Sequence, residues 1–251
     1  MKIEVNIRKK YFFIIISTLL VLSGLFAVYA YKSNPANPAV FGHTANEIEG
    51  LTNSFTNIKV YTQSDTWPPT GVSVPAGTRI MVEVWGAGGG GSYYEELATG
   101  GTRHIVCVGG GGGGYGKDIF TAQTGTYNII VGDGGKVTPI GNGQVTSVDG
   151  GTSSFIGTGI SISATGGTNG AITTRYGGPP GIGGSSTAQF SVSGSNGEVS
   201  DSASANKPYL MVGGDAGNGG SGESSNTLAI APGGGSACDK KGAIGRVVVQ
   251  W

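Results

Sequence analysis

The sequence predicts an all-β protein, a sandwich or barrel of short strands, carried behind one N-terminal apolar segment. Three observations predict it. From about Thr56 onward, β-branched and aromatic runs of about four to seven residues recur, each bounded by Gly, Pro, Asn or Ser. Nothing after Tyr31 sustains a helical period of apolar residues. Glycine supplies 50 of the 251 residues, and 45 of those 50 lie between Met81 and Trp251.

The N-terminal elements come first. Residues 1–10 form a basic tail with Arg8, Lys9 and Lys10. Residues 11–31, Tyr11 to Tyr31, then run for 21 positions without a charge. A bilayer-spanning helix needs about 20 apolar residues, so the run is expected to anchor the chain in a membrane. Lys32 closes it, and Pro35 and Pro38 stop any helix beyond. Because the basic cluster precedes the run, residues 33–251 are expected outside the cytoplasm. A cleaved signal peptide is the competing reading, with Val28-Tyr29-Ala30 as its cleavage site and a secreted product. The length of the run favours the anchor, since a signal peptide's apolar core is about 7–15 residues. Residues 32–55 are rich in Asn, Pro and Thr and read as a stalk or linker.

Charge excludes several classes of function. Only 12% of residues are charged, against an average of about 25%. Five of the 15 basic residues and one of the 15 acidic residues fall in 1–32, leaving 10 against 14, a net of −4. Such a surface has no extended basic face for nucleic acid and no pull toward anionic lipid. With two histidines and two cysteines, neither a His/Cys metal site nor a dense disulfide framework is expected.

The β domain is expected over residues 56–251. Its candidate strands are 58–61, 79–85, 104–108, 119–120, 127–131, 160–164, 189–192, 209–212 and 246–251. Strand 79–85 and the terminal strand are expected to pair and close a sheet, with 79–85 buried on both faces except at Glu83. Between the strands lie glycine tracts: Gly86 to Gly91 with one Ala, Gly109 to Gly114, Gly177 to Gly184, Gly213 to Gly222, and Gly233 to Gly235. Two accounts compete for them. They are flexible linkers, or they are ordered extended segments lying side by side and satisfying one another's backbone groups. No triplet period is sustained, so a collagen helix is rejected.

Several of these segments, in order, resemble the bacterial and phage-tail glycine-rich domain family. The segments are VPAGTRIMVEVWGAGGGG (74–91), GGGGGGYGKDIF (109–120), TGTYNIIVGDGG (124–135), DGGTSSFIGTGISISATGG (149–167) and GAIGRVVVQW (242–251). The resemblance implies packed glycine-rich (polyglycine II-like) segments and, in tail-tip members, host binding through variable loops. A weaker likeness to the glycine-rich extracellular region of anaplastic lymphoma kinase implies a jelly-roll-like β-sandwich. The N-terminal apolar segment departs from the tail-tip members and favours display on a cell envelope.

Candidate chemistry is sparse. Gly111-x4-Gly116-Lys117 nearly spells a P-loop, but Asp118 stands where Ser or Thr must meet Mg²⁺. His43 and His104 have no partner nearby in sequence, and no triad or carboxylate pair is visible. No catalytic residue, cofactor or metal is expected. Glu95-Glu96 after Tyr93-Tyr94 reads as a solvated acidic loop tip, a calcium or ligand loop being the alternative. Tyr93, Tyr94 and Tyr176 are the candidate ligand contacts, because Tyr offers area at little entropy cost. Cys107 and Cys238 are an even pair in an oxidising compartment and favour one disulfide, two buried thiols being the alternative. The expected function is non-enzymatic: surface adhesion or recognition of a glycan or protein, or else a self-assembling envelope or filament component.

Overall fold

The structure is a computed structural model that describes residues 55–97, 103–141, 143–174, 176–202, 213–223 and 228–251, together with Thr18. Thr18 aside, the expected anchor (11–31) lies outside the described residues, as do the basic tail, residues 32–54 of the stalk and the strand expected at 209–212. The unit Phe55–Trp251 is all-β, with no helix among its described residues.

Fourteen strands form three antiparallel sheets among the described residues. The front sheet has the order β1 (Ile58–Tyr61), β14 (Arg246–Gln250), β3 (Arg79–Trp85), β6 (Tyr115–Thr121), β12 (Phe190–Val192). The back sheet is β11 (Ile160–Ala164), β10 (Ser153–Gly157), β7 (Tyr127–Ile130), β2 (Asp65–Trp67). A third sheet is β13 (Val199–Ser202), β5 (Arg103–Val108), β4 (Ser92–Leu97), β9 (Gln144–Ser147), β8 (Val137–Gly141).

The front and back sheets form a sandwich because each strand alternates. In β3, Ile80, Val82 and Val84 point inward and are fully buried, while Met81 and Glu83 are half-buried on the other face. The expectation of burial on both faces is thereby corrected: the outer face of this sheet remains partly open. From the back sheet, Tyr127, Ile129, Phe155 and Ile162 meet Val247 and Val249 of β14 in one core. Tyr127 and Phe155 stack at 5.0 Å, and Trp67 meets both edge-on at 5.5 and 5.9 Å. Strands β3 and β14 do pair, Arg246 opposite Trp85 through Gln250 opposite Met81. They do not close the sheet, because β1 adds beyond β14 and leaves β1 and β12 as its edges.

The glycine tracts connect the sandwich to the third sheet. Strand β3 leads through Gly86–Gly91 into β4, and β5 returns through Gly109–Gly114 into β6. The pairs β3/β6 and β4/β5 are therefore the two ends of one ribbon. A second ribbon repeats the plan, β7 and β10 pairing in the sandwich and β8 and β9 in the third sheet.

Hydrogen bonding shows that the tracts are ordered. The N–H groups of Gly109 to Gly114 donate in turn to Glu198, Ser236, Thr168, Ser195, Gly233 and Thr165, at 2.8–3.0 Å. Every third donor thus reaches the same neighbouring segment. Their carbonyls accept in turn from Gly181, Gly214, Gly89, Gly184, Gly217 and Gly86, with the same period of three. A three-residue turn is that of an extended polyproline II-type helix, and this tract is bonded to six neighbours around it. Gly86 to Gly91 follow the same rule, donating to Gly114, Gly151, Ala243, Gly111, Val148 and Lys240. Ordering glycine costs about 0.5–1 kcal/mol per residue more than ordering alanine. Leaving a buried backbone group unbonded costs about 1–3 kcal/mol, so a complete lattice wins and a partial one does not.

Candidate functional site

Six residues at the roughly 3.1 Å rise of such a helix separate the two ends of a ribbon by about 19 Å. The third sheet is therefore held away from the sandwich, and it is the distal sheet of the unit. At the opposite pole, Thr56 and Asn57 donate backbone N–H groups to the Trp251 carbonyl at 3.0 and 2.8 Å. Chain entry at Phe55 and the distal sheet thus lie at opposite ends.

The distal sheet carries the tyrosines singled out from sequence. Tyr93 and Tyr94 lie in β4, a strand, and not in a loop tip. That reading is corrected because β4 pairs along its whole length with β5, Ser92 opposite Val108 through Leu97 opposite Arg103. Successive strand residues face opposite ways, so the two tyrosines serve different faces. Tyr93 packs with Ile105, Cys107, Ala237 and Cys238, and its hydroxyl donates to Glu95 Oε2 at 2.7 Å. Tyr94 shares the other face with Glu96 and with His104, which stands directly opposite Glu96. Tyr94 Oη donates to Glu96 Oε2 at 3.2 Å.

Tyr176 joins that second face from a loop. Its ring meets the His104 imidazole edge-on at 5.8 Å, and it is 59% exposed. Thr174, Tyr176 and Gly177 hold the turn, with Thr174 Oγ1 accepting from the Tyr176 N–H at 3.3 Å and donating to the Gly177 carbonyl at 3.0 Å. The structure therefore assembles Tyr94, Glu96, His104 and Tyr176, and places Tyr93 on the reverse. His104 was passed over in the sequence because its ring partner is distant in the chain.

Beside this face is a groove. Strands β4 and β9 pair at Tyr93 opposite Val145. The opening, about 530 Å³, is lined by Tyr94, Glu95, Glu96, Leu97, Gly143 and Gln144. Leu97 is largely exposed at its rim. The set offers an apolar wall, carboxylates and an amide.

The base of the distal sheet is pinned. Cys107 and Cys238 form a disulfide across 131 residues, with Cα atoms 4.9 Å apart. Close by, Glu223 is buried and its Oε2 accepts the Ala237 N–H at 3.0 Å. Burial pushes its carboxyl above the usual glutamate range and the Asp239 charge adds to this, against the opposing Ala237 N–H and Lys240. Ser92 and Ser147 share a buried bond of 2.8 Å where strand gives way to lattice.

The near-P-loop is not a phosphate cradle. Gly111 to Gly114 bond to neighbouring glycine segments, and Lys117 lies in β6 opposite Glu83. Gly111 and Lys117 are thus parts of a lattice and a strand, without the helix such a loop must open.

No curated protein matches the chain. The model of the glycine-rich domain matches residues 66–251, which takes in every glycine tract and all but the first strand and the start of the second. The chain therefore belongs to the glycine-rich domain family.

Proposed function

We propose that this protein is a non-enzymatic envelope protein that displays the glycine-rich domain for recognition of a surface glycan or protein. The observation that carries this reading is the placing of an aromatic and acidic face at the pole opposite chain entry. In this reading residues 11–31 anchor the chain, residues 33–251 lie outside the cytoplasm, and the lattice is a stiff spacer. Ligand contacts are made by Tyr94 and Tyr176 and by the adjoining groove. Flat aromatic rings with neighbouring carboxylates and an amide suit a neutral, hydroxyl-rich or polar ligand, and a tyrosine loses little freedom on binding. The sandwich is jelly-roll-like, as strands adjacent in the chain repeatedly switch between front and back sheets.

The test is binding of cells displaying the full chain to a panel of cell surfaces and immobilised glycans. Saturable binding is expected, and Tyr94→Ala or Tyr176→Ala is expected to weaken it tenfold or more, about 1.4 kcal/mol. Absence of binding, or binding indifferent to both substitutions, contradicts the reading. Growth of the purified chain into large assemblies without any ligand would instead favour a structural coat.

A further inference from the structure

The outer face of the front sheet, remote from the distal sheet, has features that the recognition reading does not use. Its middle row runs Val60, Val248, Glu83, Lys117, Phe190, each directly opposite the next across the five strands. The row nearer the free pole is Ile58, Gln250, Met81, Ile119. At the lattice end the face is covered: Trp85 and Tyr115 are buried, and Trp85 Nε1 donates to the Asn218 carbonyl at 2.9 Å. Beyond that cover it mixes apolar and polar side chains and is open toward its edges and at Ile119, with Val248 buried. Ile58 is 63% exposed, Phe190 57%, and Val60 and Ile119 48% each. Exposed apolar side chains collected on one sheet face mark an association surface.

The polar pair in its centre identifies the occupant. Glu83 and Lys117 lie on adjacent strands near the middle of the face. Glu83 is held in place by the Tyr115 hydroxyl at 2.6 Å and the Gln250 amide at 3.5 Å. A two-fold axis running along the strands between β3 and β6 lays each β3 over the other copy's β6. Glu83 then meets the second copy's Lys117, twice by symmetry. Phe190 falls over the second copy's β14 and Ile119 over its Met81, while β1, with Ile58 and Val60, overhangs. Such a face is complementary to itself, as an isologous contact requires.

We propose that a second copy of this chain docks on this face, front sheet to front sheet, forming a closed two-fold dimer with both distal sheets free. The four facing strands, about 4.8 Å apart, over the roughly 14 Å that two rows span, give a shared face of about 300 Å² per copy, about 600 Å² in total. That is below the usual size of a specific interface, so the dimer is weak and transient and forms near and above roughly 100 µM.

The test is sedimentation equilibrium of the full chain in a non-ionic detergent across that concentration range. A monomer–dimer equilibrium is expected for the natural chain. Lys117→Glu sets carboxylates against both copies' Glu83 and is expected to weaken dimerisation at least tenfold. Phe190→Asp is expected to do the same and to keep the thermal melt of the parent, whereas Lys117→Glu, which also faces its own Glu83, lowers the melt while leaving it cooperative. The exchange Glu83→Lys with Lys117→Glu restores the opposed charges and should recover the dimer. A chain that stays monomeric throughout overturns the proposal, as does one that grows beyond a dimer. So does a dimer unchanged by Lys117→Glu and Phe190→Asp. A folded exchange variant that remains monomeric overturns the Glu83–Lys117 geometry.

Discussion

A single atom shows why the tracts must be glycine. A Cβ built on Gly112 would lie 2.0 Å from the Asp215 carbonyl oxygen and 2.3 Å from its carbon. The obstacle is backbone, which in turn is bonded to other backbone, so no side chain can rotate away. Gly71 differs: its φ is +82°, and nothing lies within 4 Å of the space its Cβ would take. Glycine there serves the turn and not the packing. Gly71→Ala should cost only the strain of left-handed backbone, about 1–2 kcal/mol. Gly112→Ala should cost more than the roughly 1–3 kcal/mol usual for overpacking. Urea melts of the two variants check this, and equal midpoints would refute a lattice held by close approach.

At the scale of elements, β14 joins the sheet together. It lies between β1 and β3, and its Val247 and Val249 are fully buried in the core shared with the back sheet. Truncation after Ile244 removes both side chains and leaves the partner edges of β1 and β3 unpaired. The shortened chain is expected to lose its cooperative thermal transition, and an unchanged melt would count against this account. Strands of this kind were legible in the sequence. Arg79–Trp85 and Ile160–Ala164 have the bounds their β-branched runs predict. Others were not. Ser153–Gly157 is not among the strands expected from sequence, because its Ser and Gly content gives only Phe155 and Ile156 as strand formers, and it pairs between β7 and β11. Ser92–Leu97 holds adjacent glutamates, which argue for solvent, yet it is the partner that β5 requires. The site was legible only in its parts. Tyr94 and Tyr176 stand out as residues, but their joining through His104 depends on a loop crossing that no local pattern encodes.

At the scale of the whole unit Phe55–Trp251, the glycine tracts are the middle layer of three. The sandwich supplies an apolar core, and the lattice supplies backbone bonds in place of side-chain burial. The distal sheet then stands at the far end, tied by Cys107–Cys238. All of this rests on the tracts being ordered, and that is also what fixes the distal sheet relative to the sandwich. The most direct measurement is amide hydrogen exchange of the full chain, resolved at Gly86–Gly91 and Gly109–Gly114. The lattice predicts protection there comparable to that of β3 and β14, lost only with global unfolding. Exchange at the rate of an open chain in those glycines, with β3 and β14 still protected, would contradict it.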